Sequence, residues 1–426
     1  SEDLGAAISQ QLSKQPRVFL VTSLMCFLMI WIPGFPKMAF IALTLFFGGF
    51  GAFLMRQQIK DRFEALLRQR AQEEMDALAT QEGLAPTKIQ DFSAAIPVLI
   101  DLSVSARAFL SIEDLEREID YARENLYYES GVMFPPAFVR FGLDIESGRY
   151  RVYVFEVPSG EGPLDRERLY LDAPEAAAAE LGVTPERGEP VIGSRTACWV
   201  SRDDLEQLRA AGLNALAAEQ LVVRHFSDVM RRQAHQFLGV QEVNFLITKM
   251  STDYPDLVKE MLRAVPLQKV ADILRRLVQE GVSVRNLRDV FESLAEWGQR
   301  EKDVVLLTEY ARMGLKRQLS NKYAGNSRTL RAILVGPDVE DKFRQSIRVT
   351  NAGSYLALDT EIAAQVLERL RSMLAATQTT PVLLSSMDIR RYVRSLIENE
   401  LYELPVLSYQ ELSSDIRIQT VGQLTL

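Results

Sequence analysis

The chain runs to 426 residues, with 49 Lys and Arg against 57 Asp and Glu, a formal net charge of −8 and 47% hydrophobic residues. That length exceeds one ordinary core and predicts roughly two to four domains, while the acidic balance excludes a nucleic-acid binder, which needs a basic face to displace counterions. The two cysteines, Cys26 and Cys198, share neither context nor metal-ligand spacing, so the bulk of the chain is expected in a reducing compartment.

The chain begins at Ser1 rather than Met, and further segments are expected upstream. Val18–Ile32 and Met38–Met55 carry no charged residue. As helices they reach roughly 22 and 27 Å at about 1.5 Å per residue, just short of the ~30 Å hydrocarbon core, and flanking residues or local thinning cover the difference. Pro33-Gly34-Phe35-Pro36-Lys37 between them reads as a turn. Residues 1–55 are therefore expected to form a membrane helix hairpin behind a short amphipathic lead-in. Lys14 and Arg17 precede it, and Arg56, Lys60, Arg62, Arg68 and Arg70 follow it, which puts both ends in the cytoplasm. Gly48, Gly49 and Gly51 would let another helix approach the second run closely. Residues 56–95 read as a charged helical neck whose apolar stripe, through Phe63, Leu66 and Leu67, is weak.

Beyond the neck the pattern becomes α+β. Val98–Leu102 reads as a strand, and Ile112, Leu115, Ile119, Ala122 and Leu126 fall at helical spacing behind the capping candidate Ser111. Ala137–Ile145 and Arg149–Val157 read as a hairpin across Glu146-Ser147-Gly148, with a third strand at Arg168–Asp172. Residues 173–218 have the texture of a small inserted lobe: an Ala-rich helix, a loop with Gly188 and Pro190, a strand through Cys198-Trp199-Val200 and a helix capped by Ser201. A long helix over 219–239 returns to the first domain, which thus comprises 96–172 and 219–239. His225 and His235 lie on it ten residues apart, the wrong spacing for paired metal ligands.

Residues 240–325 read as an all-helical domain. Pro255 and Pro266 sit in first turns, Gly281 stops a helix through Val270, Leu274 and Leu277, and Ser283 is expected to cap the next. Arg263, Arg275, Arg276, Arg285 and Arg288 alternate with Glu260, Asp272, Glu280, Asp289 and Glu292. Such mixed charge is ordinarily a solvated face. A subunit interface through Arg263, Arg275, Glu280 and Arg285 is the sharper alternative, because interfaces favour arginine. Residues 326–426 alternate strand and helix as an α/β domain, with strands expected at Leu330–Val335, Tyr355–Leu358, Pro381–Ser385 and Pro405–Leu407.

Tyr254-Pro255, the turn Glu280-Gly281-Val282-Ser283-Val284-Arg285-Asn286-Leu287-Arg288 and the run Trp297–Leu319 together resemble the FHIPEP family, the large export-gate proteins of bacterial type III secretion and flagellar export. The resemblance extends over nearly the whole chain, and Glu296–Tyr310 is closer to the virulence-associated branch than to the flagellar one. It implies further membrane helices upstream, a bacterial inner-membrane location with most of this chain in the cytoplasm, and a nonameric ring beneath the secretion pore. It also implies four cytoplasmic subdomains, the second inserted into the first and the third building the ring. Implied partners are other export-apparatus membrane proteins, chaperone–effector and chaperone–translocator complexes, a gatekeeper protein and the stalk of the secretion ATPase. In flagellar members a cleft between the first two subdomains receives cargo at an acid followed three positions later by an aromatic. Here Glu189 keeps the acid, Ile192 replaces the aromatic, and Arg224 stands where that branch has a threonine before the helix histidine. Cargo docking is expected at Glu189, Ile192 and Arg224, with the two lobes moving about the cleft.

No Walker sequence, nucleophile elbow or metal-ligand spacing occurs. No cofactor and no catalytic residue is expected, and the energy for export must come from a partner ATPase or from ion flow elsewhere. The alternatives are a flagellar export gate, or a membrane-anchored enzyme with its site at the strand ends of the C-terminal α/β domain.

Overall fold

The computed structural model describes residues 95–426 except 172, 174, 193–196, 351, 352, 376 and 378, together with scattered positions between Thr22 and Gly49. The chain divides into two units, Ser1–Ser93 and Ala94–Leu426. In the first, the described positions of both apolar runs are helical. The Ser23 hydroxyl donates to the Thr44 carbonyl oxygen across 2.9 Å, and a Cβ on Gly48 would lie 3.0 Å from Ser23 Oγ, so the two runs lie side by side where a glycine gives room. Among the described residues no helix is long and apolar enough to cross a membrane. The turn at Pro33–Lys37 and the neck over residues 56–94 lie outside the described residues.

The second unit starts with β1 (Val98–Ser103), buried along its whole length. Helix α1 (Ile112–Ser130) follows; Ser111 accepts from the Asp114 amide at its N-terminus, and Gly131 closes it at φ +81°. Strands β2 (Phe138–Gly142), β3 (Arg149–Val154) and β4 (Val157–Pro163) complete a sheet of order β2-β1-β3-β4. The hairpin expected between β2 and β3 is therefore absent: β2 runs parallel to β1, which separates it from β3. The hairpin that does form joins β3 to β4 through Phe155 and Glu156, at φ 48° and 64°, the primed turn that matches strand twist.

Strand β5 (Arg168–Leu171) is a second correction, because it pairs outside that sheet. With β6 (Glu186–Gly188), β7 (Ala197–Ser201) and β8 (Ala215–Leu216) it forms a second sheet of order β6-β7-β5-β8, together with helices α2 (Glu175–Ala179) and α3 (Leu205–Ala210). Alternation along β5 explains its allegiance. Leu169 and Leu171 face a small core with Cys198, Val200 and Leu208, while Tyr170 turns to the other side, edge-on to Trp199 at 5.6 Å, and joins the larger core.

Helix α4 (Ala218–Gln233) returns to cover the first sheet alongside α1. Six helices follow: α5 (Val240–Asp253), α6 (Pro255–Ala264), α7 (Leu267–Gln279), α8 (Leu287–Trp297), α9 (Val304–Gly314) and α10 (Lys316–Ala324). Val270, Ile273, Leu274 and Leu277 of α7 are fully buried at three- and four-residue spacing. The cap of α8 is Asn286, which accepts from the Asp289 amide, rather than Ser283. The intervening segment is pinned elsewhere, by the Val284 amide donating to the Ser130 carbonyl at 2.8 Å. Trp297 and Tyr310 stack across α8 and α9 at 4.1 Å. One apolar core runs without a break from β1 to Leu319.

The C-terminal part is a parallel sheet of order β13-β12-β9-β14, made by β9 (Thr329–Val335), β12 (Val382–Ser385), β13 (Val406–Ser408) and β14 (Arg417–Leu424). Helices α11 (Pro337–Ser346), α12 (Thr360–Ala375) and α13 (Met387–Ile397) pack on one face, while Ala324 of α10 meets Leu330 and Leu384 on the other. The strand expected at Tyr355–Leu358 lies instead at Gly353–Leu356 (β11) and, among the described residues, pairs with Ile347–Thr350 (β10) apart from the main sheet.

Candidate functional site

The expected docking loop is anchored onto the first sheet. Glu189 is exposed and accepts from Arg149 through Nη1 at 3.0 Å and Nη2 at 3.4 Å, and this hydrogen bonding raises the arginine's pKa. Val191 and Ile192 are each only 7% exposed and belong to the large core. A Cβ on Gly162 of β4 would lie 3.0 Å from Val191 Cγ1 and 2.9 Å from Tyr150 Oη, so the loop packs where β4 has no side chain. Ile192 is thus a core residue rather than an exposed apolar contact, a correction to the sequence expectation. Below it, Tyr150 Oη and His225 Nδ1 are hydrogen-bonded at 2.7 Å. Burial lowers His225 from 6.5 to about 4 and pushes the Tyr150 phenol well above its usual value.

Arg224 does not meet the other two. Successive helical residues point about 100° apart, and because His225 faces Tyr150 and Gly160, its neighbour turns away. Arg224 is exposed in a groove between α4 and α1, beside Glu118, Tyr121, Asn125 and Glu129.

The four residues expected at a subunit interface separate likewise. Arg263 is an open cation, its side chain 81% exposed and 3.9 Å from Glu260. Arg275 donates to the Leu238 carbonyl at 3.0 Å and pairs with Asp272 at 2.8 Å. Arg285 donates to the Tyr128 carbonyl at 3.2 Å and lies over the Tyr128 ring at 5.3 Å, which ties the helical block to α1. Glu280 is corrected outright: it points inward.

Glu280 belongs to a largely buried cluster of charge that sequence reasoning missed. Arg312 of α9 donates to Glu411 through Nε at 3.2 Å and Nη2 at 2.8 Å, and to Glu280 through Nη1 at 3.1 Å. Arg390 of α13 donates to Glu309 through Nε at 2.6 Å and to both Glu280 oxygens. Both arginines also reach the Val406 carbonyl, and the Ser408 hydroxyl donates to Glu411 at 3.0 Å. Arg312, Arg390, Glu309 and Glu411 are all nearly or wholly buried. Burial alone would raise the Glu280 carboxyl, but the charges of Arg390 and Arg312 override it and hold it at about 2. The cluster therefore fastens α7 and α9 to α13 and the end of β13. The only sequence signal was the alternation that included Glu280. Arg390 adjoins Ile389 and precedes Tyr392-Val393, and only tertiary structure reveals that it points inward.

Among the described residues no group of three or more His, Cys, Asp or Glu side chains is placed to hold a metal ion. At the strand ends of the parallel sheet, Ser386 donates to Glu340, and Arg344 is shared among Glu340, Asp341 and Asp388. These carboxylates already have partners.

A model of the FHIPEP family matches residues 1–417. The chain belongs to the FHIPEP family. It is 38% identical over 445 residues to the Low calcium response locus protein D of Yersinia pestis, covering 100% of this chain and 62% of that protein. The chain thus spans about three fifths of the length of such relatives. Among solved structures it is similar to the Chlamydia pneumoniae CdsV protein in complex with CdsO, with a TM-score of 0.72 and 34% identity over 79% of this chain and 99% of that one. It is also similar to the nonameric EscV cytosolic domain from the type III secretion system, with a TM-score of 0.66 and 30% identity over 79% of this chain and 99% of that one. These likenesses extend over 79% of the chain and show a mixed α/β architecture in common.

Proposed function

We propose that this chain is the C-terminal membrane helix pair and cytoplasmic portion of a type III secretion export gate. Nine copies form a ring beneath the inner-membrane pore, which receives chaperone-bound cargo and passes unfolded protein into the channel. The observation that carries this reading is the likeness to the nonameric EscV cytosolic domain across 79% of the chain. Its role is mechanical and recognitive rather than catalytic. The solved complex of CdsV with CdsO supports a protein partner docking on this part of the chain.

In this reading the helical block builds the ring through its exposed cations. Arg263 is the cleanest participant, because Arg275 and Arg285 also serve contacts within the protomer. Cargo complexes approach the inserted lobe along the rim marked by Glu189, where the exposed pair with Arg149 steers association more than it adds affinity. Arg224 contributes to a separate groove on the α1–α4 face. Mass photometry of the purified chain tests the ring. The parent is expected to give a species nine times the chain mass, and Arg263→Glu a shift toward single chains. An unchanged particle in the variant would move the interface elsewhere, and a parent that stays single at all concentrations would defeat the reading.

A further inference from the structure

A cavity of about 360 Å³ lies where α1 and α4, the helical block and the C-terminal sheet meet, directly beside the buried charge cluster. Leu126, Phe134, Val278 and Val406 give it an apolar wall. Its size, its place at a junction and its mixed lining are those of a small-molecule site.

The charges around it are unevenly committed. Glu129 is held in a two-pronged pair by Arg231, Asp228 by Arg232 at 3.1 Å, and Glu280 by the cluster. Arg312 has its donors engaged within the cluster. Two other cations, one buried and one exposed, have fewer partners. Arg394, only 6% exposed, donates through Nη1 to the Tyr402 and Leu404 carbonyls at 3.1 Å each, yet its Nε has no hydrogen-bond partner. Lys322, an exposed side chain on the rim, makes one hydrogen bond, to the Gly281 carbonyl at 2.6 Å. Arg224 stands at the mouth with no ion pair among the described residues, against one acid, Glu403. An incoming cation would meet two like charges, whereas an anion would meet complementary ones.

We propose that this cavity binds a small molecule bearing a carboxylate or phosphate on an apolar or aromatic body, its anion seated between Arg394 and Lys322. The body lies against Phe134 and Val278. Because its walls come from three parts of the chain, occupancy clamps the helical block to both neighbours.

Titration calorimetry and thermal melting of the purified chain with phenyl phosphate, benzoate and inorganic phosphate test this. Saturable binding and a raised melting temperature are expected with phenyl phosphate or benzoate, and weaker binding with inorganic phosphate. Which of the two aromatic probes binds distinguishes a phosphate ligand from a carboxylate one. Lys322→Met should weaken binding roughly tenfold or more, the value of one charge-assisted hydrogen bond. Arg394→Met should abolish it, and Arg209→Ala on distant α3 should leave it unchanged. If Arg394→Met does not fold, Lys322→Met decides alone. No saturable binding of any probe, inorganic phosphate binding as tightly as the aromatic probes, or binding that survives Lys322→Met would overturn the proposal.

Discussion

Replacing Arg390 by Met should be among the most damaging single changes in the chain. Its guanidinium is fully buried and hydrogen-bonds two carboxylates, Glu280 and Glu309, with a third, Glu411, at 3.5 Å. Removing one partner of a buried ion pair leaves charge without water or counter-charge and typically costs about 3–5 kcal/mol. Glu280 gives an independent figure. Its carboxyl stands at about 2 rather than 4.5, and at about 1.4 kcal/mol per unit that shift is worth roughly 3 kcal/mol. Because the folded value is depressed, this stability is present above pH 4.5 and is lost as pH falls from there toward 2. Urea denaturation followed by intrinsic fluorescence, at fixed protein concentration, should therefore show Arg390→Met about 3–5 kcal/mol below the parent at pH 7, with the gap narrowing below pH 4.5. The double variant Glu309→Met with Arg390→Met keeps the cluster's net charge and should recover most of the loss, because well-packed apolar replacements of buried pairs are often neutral. A loss under about 1 kcal/mol for the single variant, or a double variant as unstable as the sum of the singles, would refute the coupled-cluster reasoning.

Ile192→Asp should lower stability by about 3 kcal/mol or more, because it puts a carboxylate into a core position that is 7% exposed; a thermal melt that overlays the parent would contradict that placement. His225, buried at about 4 against 6.5, stays neutral in the fold while the unfolded chain takes up a proton. Stability is then fully present above pH 6.5 and should fall by about 1.4 kcal/mol per unit toward pH 4, roughly 3 kcal/mol in all, a slope that His225→Gln removes in denaturant titrations across that window. Gly160→Ala would set a Cβ 2.7 Å from His225 Nε2 and 2.8 Å from Val229 Cγ2, and should cost about 1–3 kcal/mol by calorimetry.

The sequence was most legible where one rule governed. Ser111 and the apolar spacing behind it mark α1, and Pro266, Val270, Leu274 and Gly281 delimit α7. Strand pairing was not legible. The β3–β4 turn uses Phe155 and Glu156 at positive φ where glycine or asparagine would have announced it. Strand β5 is apolar on both faces, so nothing local says which sheet claims it. Strand β14 is mostly exposed, with one buried residue at its end, and carries no alternation to read. At the docking loop, the adjacent pair Val191-Ile192 was the available signal for burial, and comparison with an aromatic position obscured it. The charge cluster gathers residues 280, 309, 312, 390 and 411, whose separation in sequence leaves each looking like a solvated charge.

Two-dimensional class averages of the detergent-solubilised chain by electron microscopy test the central claim most directly. The account predicts ninefold rings with a central opening, formed by the unit Ala94–Leu426 and reduced to smaller particles by Arg263→Glu. Folded single chains, or closed oligomers without an opening, would contradict it.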